Sequence, residues 1–167
     1  MTKCVNCFIP YQDKDQVVQT IKGLKESGQI NEIYLLAYNS SLENIEDCKI
    51  IYLDSIKSTK TLKEIAKYST SEYSLIYTKE STLVMGMFAI ERMLKLAQDN
   101  CAAMIYSDHY QIIDGVKKPN PVITYQFGSL RDDFNFGSVL LYNSAILKDA
   151  VSSMDVDYEY AALYDLR

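Results

Sequence analysis

The chain has no tryptophan, only 6 glycines and 3 prolines, and a single histidine, His109, in 167 residues. Neither G-x-G-x-x-G nor G-x-x-x-x-G-K-[ST] occurs, which excludes the Rossmann dinucleotide fingerprint and the P-loop; any phosphate must be held by other means. No apolar run approaches the ~18 residues of a membrane helix. The start from Met1 to Pro10 is too short and too polar for a secretory leader, so a cytoplasmic chain without a membrane segment is expected. A basic stripe with interleaved aromatics is missing as well, and with a formal net charge of -5 the chain does not read as a nucleic-acid module. The 4 cysteines, Cys4, Cys7, Cys48 and Cys101, lack the spacing of a disulfide framework. Only Cys4 and Cys7 form a C-x-x-C, and in a strand they point to opposite faces; without a second such pair or a histidine partner, buried free thiols are expected rather than zinc ligands.

What is present is the composition of an ordinary globular domain, 48% hydrophobic and 23% charged. A chain of this length buries roughly 70% of its unfolded surface. Residues 1–167 therefore read as one domain. Its 14 tyrosines suit half-buried strands, and equally a surface on which a sugar or base could stack.

The first half repeats one cadence of short apolar run, polar turn and helical pattern. Val5 to Ile9 reads as a buried strand ended by Pro10. Asp13 caps the next helix, with Gln16 three residues on as in a capping box; Val17, Ile21 and Leu24 form its inner face, and Gly28 stops it. Glu32 to Ala37 and Lys49 to Leu53 are the second and third strands. Thr61 and Glu64 form another capping box, opening a helix to Tyr68 that faces inward through Leu62, Ile65 and Ala66. Tyr73 to Tyr77 is the fourth strand, Met87, Ile90, Leu94 and Ala97 mark the longest helix, and Ala102 to Tyr106 is the fifth strand; Met85, Met87 and Met93 are expected in the core. Parallel neighbours need helical crossovers, so the alternation predicts a three-layer α/β fold with a mostly parallel sheet. After Asp108 the rhythm breaks into an antiparallel hairpin, Gln111 to Ile113 and Val116 to Lys118, around Asp114-Gly115. Ser138 to Tyr142 returns as a strand, a short helix lies near Ala145 to Val151, and Tyr158 to Arg167 reads as helical. That last pattern runs to the final residue, the expectation for a domain cut from a longer protein.

In open α/β sheets ligands bind at the carboxyl ends of the strands. The rule nominates Pro10-Tyr11-Gln12-Asp13, Tyr38-Asn39, Asp54 to Lys60, Thr78-Lys79-Glu80 and Ser107-Asp108-His109. Two aspartate-bearing turns stand out, Tyr106-Ser107-Asp108-His109-Tyr110 and Arg131-Asp132-Asp133-Phe134-Asn135-Phe136-Gly137, because acidic strand ends suit phosphate and metal chemistry. Plainer roles stand beside these: Asp108 as a turn former, His109 as a hydrogen-bonded residue, Asp132 and Asp133 as the solvated side of a loop with Arg131. Lys57, Lys60 and Lys63 read as a solvated face or a phosphate clamp.

Over essentially the whole chain these segments, in their order and spacing, resemble the family 2 glycosyltransferases of the GT-A fold. The similarity rests on Ile9-Pro10-Tyr11 at the end of strand one, on the helix from Ser81 to Ala97 with Phe88-Ala89-Ile90-Glu91-Arg92-Met93, and on Ile105-Tyr106-Ser107-Asp108. Tyr106 to Tyr110 and Gly128 to Tyr142 are similar to a subgroup from polysaccharide-producing bacteria. The resemblance implies the donor-binding part of a glycosyltransferase of hexosyltransferase type, moving a sugar from a nucleoside-diphosphate donor to a glycan or lipid-linked acceptor in cell-surface polysaccharide synthesis. In that chemistry a divalent metal, Mg or Mn, held by a DXD pair neutralises the departing diphosphate, and a carboxylate base takes the acceptor proton.

Carried onto this chain, Pro10, Tyr11, Asp13 and Tyr38 would face the nucleoside, and Ser58 to Thr61 with Lys60 would approach the phosphates. The base would be Asp157, Glu159 or Asp165, the register leaving the three open. Two departures matter. Ala37-Tyr38-Asn39 stands where the family has Asp-Asp, and Tyr77-Thr78-Lys79-Glu80 stands at the DXD position, with one carboxylate and a lysine. Lys79 would supply the positive charge of a metal-independent site, or else Glu80 with Asp108 holds the metal, with Asp132 and Asp133 the other carboxylates available to the donor. The alternative is a catalytically degenerate GT-A-like domain that binds a nucleotide or a partner.

Overall fold

The computed structural model describes residues 3–38, 42–126 and 134–166. In chain order the elements are β1 (Val5–Tyr11), α1 (Lys14–Glu26), β2 (Ile30–Ala37), β3 (Lys49–Tyr52), α2 (Thr59–Tyr68), β4 (Tyr73–Tyr77) and α3 (Ala89–Asp99). There follow β5 (Met104–Tyr106), β6 (His109–Ile113), β7 (Val116–Asn120), β8 (Val139–Asn143), α4 (Ser144–Ser152) and α5 (Ala162–Asp165). Six strands form one sheet in the order β3-β2-β1-β4-β8-β5. β3, β2, β1 and β4 are mutually parallel; β8 runs against both β4 and β5. The protein is thus α/β with a mostly parallel central sheet.

Strand periodicity divides the core in two. On one face Cys7, Ile9, Leu35, Leu75 and Leu141 meet Val17, Ile21 and Leu24 of α1 and Ile90, Met93, Leu94 and Ala97 of α3. On the other Phe8, Tyr34, Leu36, Ile76 and Leu140 meet Leu62, Ile65 and Ala66 of α2, Leu147 and Val151 of α4, and Ala162 of α5. The three-layer expectation holds. No helix among the described residues is long and apolar enough to cross a membrane.

Several boundaries differ from the sequence reading, each for a local reason. β1 continues through Pro10 to Tyr11, since pairing with β4 ends at Phe8 and beyond it β1 has a neighbour on one side only, where a missing N–H is tolerated. α2 is capped by Ser58, whose Oγ accepts from the Thr61 amide at 3.3 Å; Thr61 gives its hydroxyl proton to the Ser55 carbonyl instead. α3 starts at Ala89 rather than Ser81, behind a left-handed Phe88 (φ 56), and Met87 is 84% exposed rather than in the core. α1 is the longest helix among the described residues, at 13 residues. The hairpin is present as a separate two-stranded sheet, and Asp114 (φ 51) with Gly115 (φ 74) gives the doubly left-handed turn that an Asp-Gly hairpin requires. The stretch read as a terminal helix is helical only over Ala162–Asp165. Cys7 is buried as expected, but Cys101 is exposed.

Candidate functional site

The parallel strands end together. Tyr11, Ala37, Tyr52, Tyr77 and Tyr106 close β1, β2, β3, β4 and β5 at one edge of the sheet, and β8 starts there, with Val139 opposite Tyr77 and Leu140 opposite Tyr106. The turns nominated from sequence line this carboxyl edge, apart from Asn39, Asp132 and Asp133, which lie outside the described residues.

Tyr38 is the hub of the edge. Its hydroxyl donates to Glu80 Oε1 at 3.2 Å and accepts the Ile56 amide at 3.4 Å, so one phenol joins the turns after β2, β3 and β4. Partial burial raises the Tyr38 pKa first, and the Glu80 carboxylate adds to the rise, so the phenol stays a donor. The ring remains 43% exposed. Between β4 and Glu80, Lys79 is exposed and makes no ion pair among the described residues, as is also true of Lys57 and Lys60 near the start of α2.

The first turn is tied down from within. Pro10 and Tyr11 are buried, and the Tyr11 hydroxyl donates to the Glu43 carbonyl at 2.9 Å, with burial the leading cause of its raised pKa. Asp13 caps α1, its Oδ1 accepting the amides of Asp15 at 2.8 Å and Gln16 at 3.2 Å. Gln16 does not return the bond of a capping box: its side-chain amide nitrogen is buried without a partner among the described residues. Thr20 fixes the neighbouring turn by accepting the Leu83 amide at 2.9 Å.

At α2 the expected phosphate approach is occupied by the chain itself. The Thr59 amide donates to the Tyr158 carbonyl at 2.9 Å, and the Thr61 amide to Ser58 Oγ at 3.3 Å. Thr59 Oγ1 bridges the Val156 carbonyl at 3.1 Å and the Tyr158 amide at 2.9 Å. Lys60 is exposed on the first turn. The three candidate bases are spread along this C-terminal stretch: Asp157 pairs with Lys63 at 3.1 Å, Glu159 is exposed with its carbonyl accepting from Ser55 Oγ at 3.2 Å, and Asp165 is exposed in α5.

Asp108 fixes a turn, its Oδ1 accepting the Val122 amide at 2.7 Å. His109 Nε2 shares a hydrogen bond with Asn120 Nδ2 at 2.9 Å, while Nδ1 is buried without a partner among the described residues. Gly137 (φ 80) closes over this ring; a Cβ there would lie 3.2 Å from the Ser107 carbonyl and 3.5 Å from His109 Nδ1. Tyr106, Phe134 and Phe136 pack beside it, Tyr106 edge to face on both phenylalanines, with ring centroids 4.9 Å apart for Tyr106 and Phe136. Among the described residues no group of three His, Cys, Asp or Glu side chains could hold a metal ion, so Glu80 and Asp108 do not form such a centre with their described neighbours.

Two cavities lie away from this edge. One of about 610 Å³ sits at the amino ends of β2 and β3, among Lys3, Gly28, Asn31, Glu32, Asp47 and Lys49; another of about 480 Å³ lies between α1 and Ile45. Sequence reasoning placed Tyr38 at the site but missed its partners Ile56 and Glu80, and missed Ser55 and Thr59 as anchors of the C-terminal stretch. The one legible signal for the latter was opposite charge, the alternating acids Asp155, Asp157 and Glu159 in one segment and Lys57, Lys60 and Lys63 in the other, of which the structure pairs Asp157 with Lys63.

No family model matches the chain, and no curated protein matches it in sequence. Solved structures do match in fold. The bifunctional IspDF from Campylobacter jejuni superposes with a TM-score of 0.61 at 12% identity, covering 97% of this chain and 46% of that one. The 2-C-methyl-D-erythritol 4-phosphate cytidylyltransferase from Thermus thermophilus gives 0.53 at 9% identity, covering 96% and 81% respectively. The chain thus spans about half the length of the bifunctional neighbour. These neighbours correct the expectation of a family 2 glycosyltransferase with a glycan or lipid-linked acceptor: one is a cytidylyltransferase by name, and neither is named for glycosyl transfer. What the likeness shows is a shared α/β fold with a mostly parallel central sheet.

Proposed function

We propose that this chain is a nucleotide-binding domain of GT-A-like, nucleotidyltransferase-like fold, with its ligand lying across the carboxyl edge between the β1 turn and the wall made by Tyr38, Lys79 and Glu80. The observation that carries the reading is the Tyr38 hydroxyl, which locks the turns after β2 and β4 beside a lysine that no carboxylate among the described residues neutralises. An ammonium at phosphates contributes as a point charge, and each charge-assisted contact is worth about 1.5–3 kcal/mol. Lys79 is the group that supplies it here. Glu80, fixed by Tyr38, is left with a second oxygen to accept from a sugar hydroxyl. Cytidine nucleotides head the test because the fold neighbours include a cytidylyltransferase. If the domain turns over its ligand, the class of reaction is nucleotidyl transfer.

Calorimetric titration with CTP, UTP, GTP and ATP, each with and without Mg or Mn, tests this. One of the pyrimidine nucleotides binds saturably, and Lys79→Gln weakens the triphosphate by about tenfold, one charge-assisted contact, while leaving the bare nucleoside unchanged. Silence across the panel in every metal condition would overturn the proposal. Equal affinity of wild type and Lys79→Gln would remove Lys79 from it.

A further inference from the structure

The stretch after α4 is irregular, yet it is held closely. From Val156 to Ala162 it makes five hydrogen bonds to the turn between β3 and α2: Tyr158 carbonyl with the Thr59 amide, Tyr158 amide with Thr59 Oγ1, Val156 carbonyl with Thr59 Oγ1, Glu159 carbonyl with Ser55 Oγ, and the Ala162 amide with the Lys57 carbonyl. The Asp157 carboxylate adds an ion pair to Lys63 of α2. Its hydrophobic anchors lie mostly at its two ends: Ala162 and Leu166 are buried, Met154, Tyr158 and Leu163 pack partly buried against the same core, and Val156 and Tyr160 are 51% and 74% exposed. Between those ends, from Asp155 to Ala161, attachment rests on the hydrogen bonds, the single Asp157–Lys63 ion pair and the half-buried Tyr158 ring. Contacts of that kind are individually weak and open locally well before the sheet unfolds.

The turn that holds the strap also belongs to the nucleotide site. Ser55 Oγ, which donates to Glu159, accepts the Lys57 amide at 3.2 Å; between them the Ile56 amide reaches the Tyr38 hydroxyl, and that hydroxyl reaches Glu80. The Ile56 side chain, 7% exposed, is clamped in the core, so the turn cannot slide to satisfy one neighbour without disturbing the other. Hydrogen bonds on either side of the covalent Ser55–Ile56 backbone thus connect the strap to Tyr38 and the carboxyl edge.

We propose that the strap from Asp155 to Ala161 is a closing element coupled to the carboxyl-edge site through the Ser55–Ile56 turn and the Tyr38 hydroxyl. A ligand that immobilises Tyr38 and Glu80 holds the turn and so closes the strap; by reciprocity, loosening the strap weakens ligand binding. The ligand half of this statement rests on the nucleotide reading above, while the coupling itself is a property of the free protein.

Amide hydrogen exchange on the full chain tests it in two arms. Without ligand, Tyr38→Phe keeps the ring and removes the hydroxyl; the Thr59 and Ala162 amides, which hold the strap, then exchange at least about fivefold faster, the loss of one ordinary hydrogen bond carried along the chain. Ser55→Ala, cutting the middle link, gives the same result. Wild-type exchange at Thr59 and Ala162 in both variants would overturn the coupling, whatever the ligand. With saturating CTP, the same amides gain further protection in wild type, and Tyr38→Phe, which also weakens CTP binding, loses that added protection. If no nucleotide binds while the ligand-free arm succeeds, the nucleotide reading fails and the coupling stands. If CTP binds and leaves the strap amides unprotected, the strap is not a closing element of this site.

Discussion

Asn6 shows how much one polar side chain can organise when its lone pairs and protons are all used. Fully buried in β1, it donates to the Tyr68 carbonyl at 2.9 Å and to Thr70 Oγ1 at 3.0 Å, and its oxygen accepts from Ser71 Oγ at 2.7 Å and Asn31 Nδ2 at 3.2 Å. It therefore fixes the turn between α2 and β4 against the amino end of the sheet. Asn6→Ala is expected to lower stability by about 2–4 kcal/mol, since it strands several partners as well as removing bonds, and a urea titration reads this as a shifted midpoint. At this same scale the candidate edge was half legible. The strand-end rule put Tyr38 and Lys79 at the carboxyl edge of the sheet, where the structure has them. Their relations were not legible, because Tyr38 meets Ile56 and Glu80 at separations of 18 and 42 residues, and nothing local in the sequence encodes which side chain crosses which turn. Asp108 was legible as a strand-end carboxylate, and the plainer of its two roles is the one the structure displays, bonded to Val122.

Elements were readable where period and capping agree. α1 begins at Asp13 and ends at Gly28 (φ 69) as its sequence requires, and the inner faces of α1 and α2 are those given by their apolar spacing. They were misread where a tertiary contact overrides local preference. Val84, Met87 and Phe88 carry an apolar rhythm but stay exposed, because Thr20 of α1 captures the Leu83 amide and holds that turn out of helix, delaying α3 to Ala89. The strap is the same case at the other end: α2 needs partners for its first amides, and the carbonyl of Tyr158 supplies one where residues 154–161 run irregular rather than helical. The antiparallel sense of β8 was not readable at all, since an apolar strand has the same pattern in either direction.

For the molecule as a whole, burial of thiol and phenol groups sets a stability limit on the alkaline side. Burial is the leading cause of the raised pKa values of Cys7, Tyr11, Tyr34, Tyr73 and Tyr77. A group whose folded pKa lies above its unfolded value contributes stability that is complete below the unfolded pKa and is lost as pH rises through the folded one. Unfolding midpoints should therefore begin to fall above about pH 8.5, where free thiols ionise, and fall more steeply above about pH 10 with the tyrosines. A midpoint that stays level to about pH 11 would contradict this. The proposed nucleotide site belongs to this scale as well, since it puts the ligand at the carboxyl edge of the three-layer sheet and not in the 610 Å³ groove at the amino ends of its strands. Backbone amide shifts recorded during a CTP titration decide between the two edges. Ligand at the carboxyl edge gives saturable shifts at Gln12, Tyr38, Ile56 and Thr78 to Glu80; shifts confined to Lys3, Gly28, Asn31 and Lys49, or none that saturate, would rule that edge out.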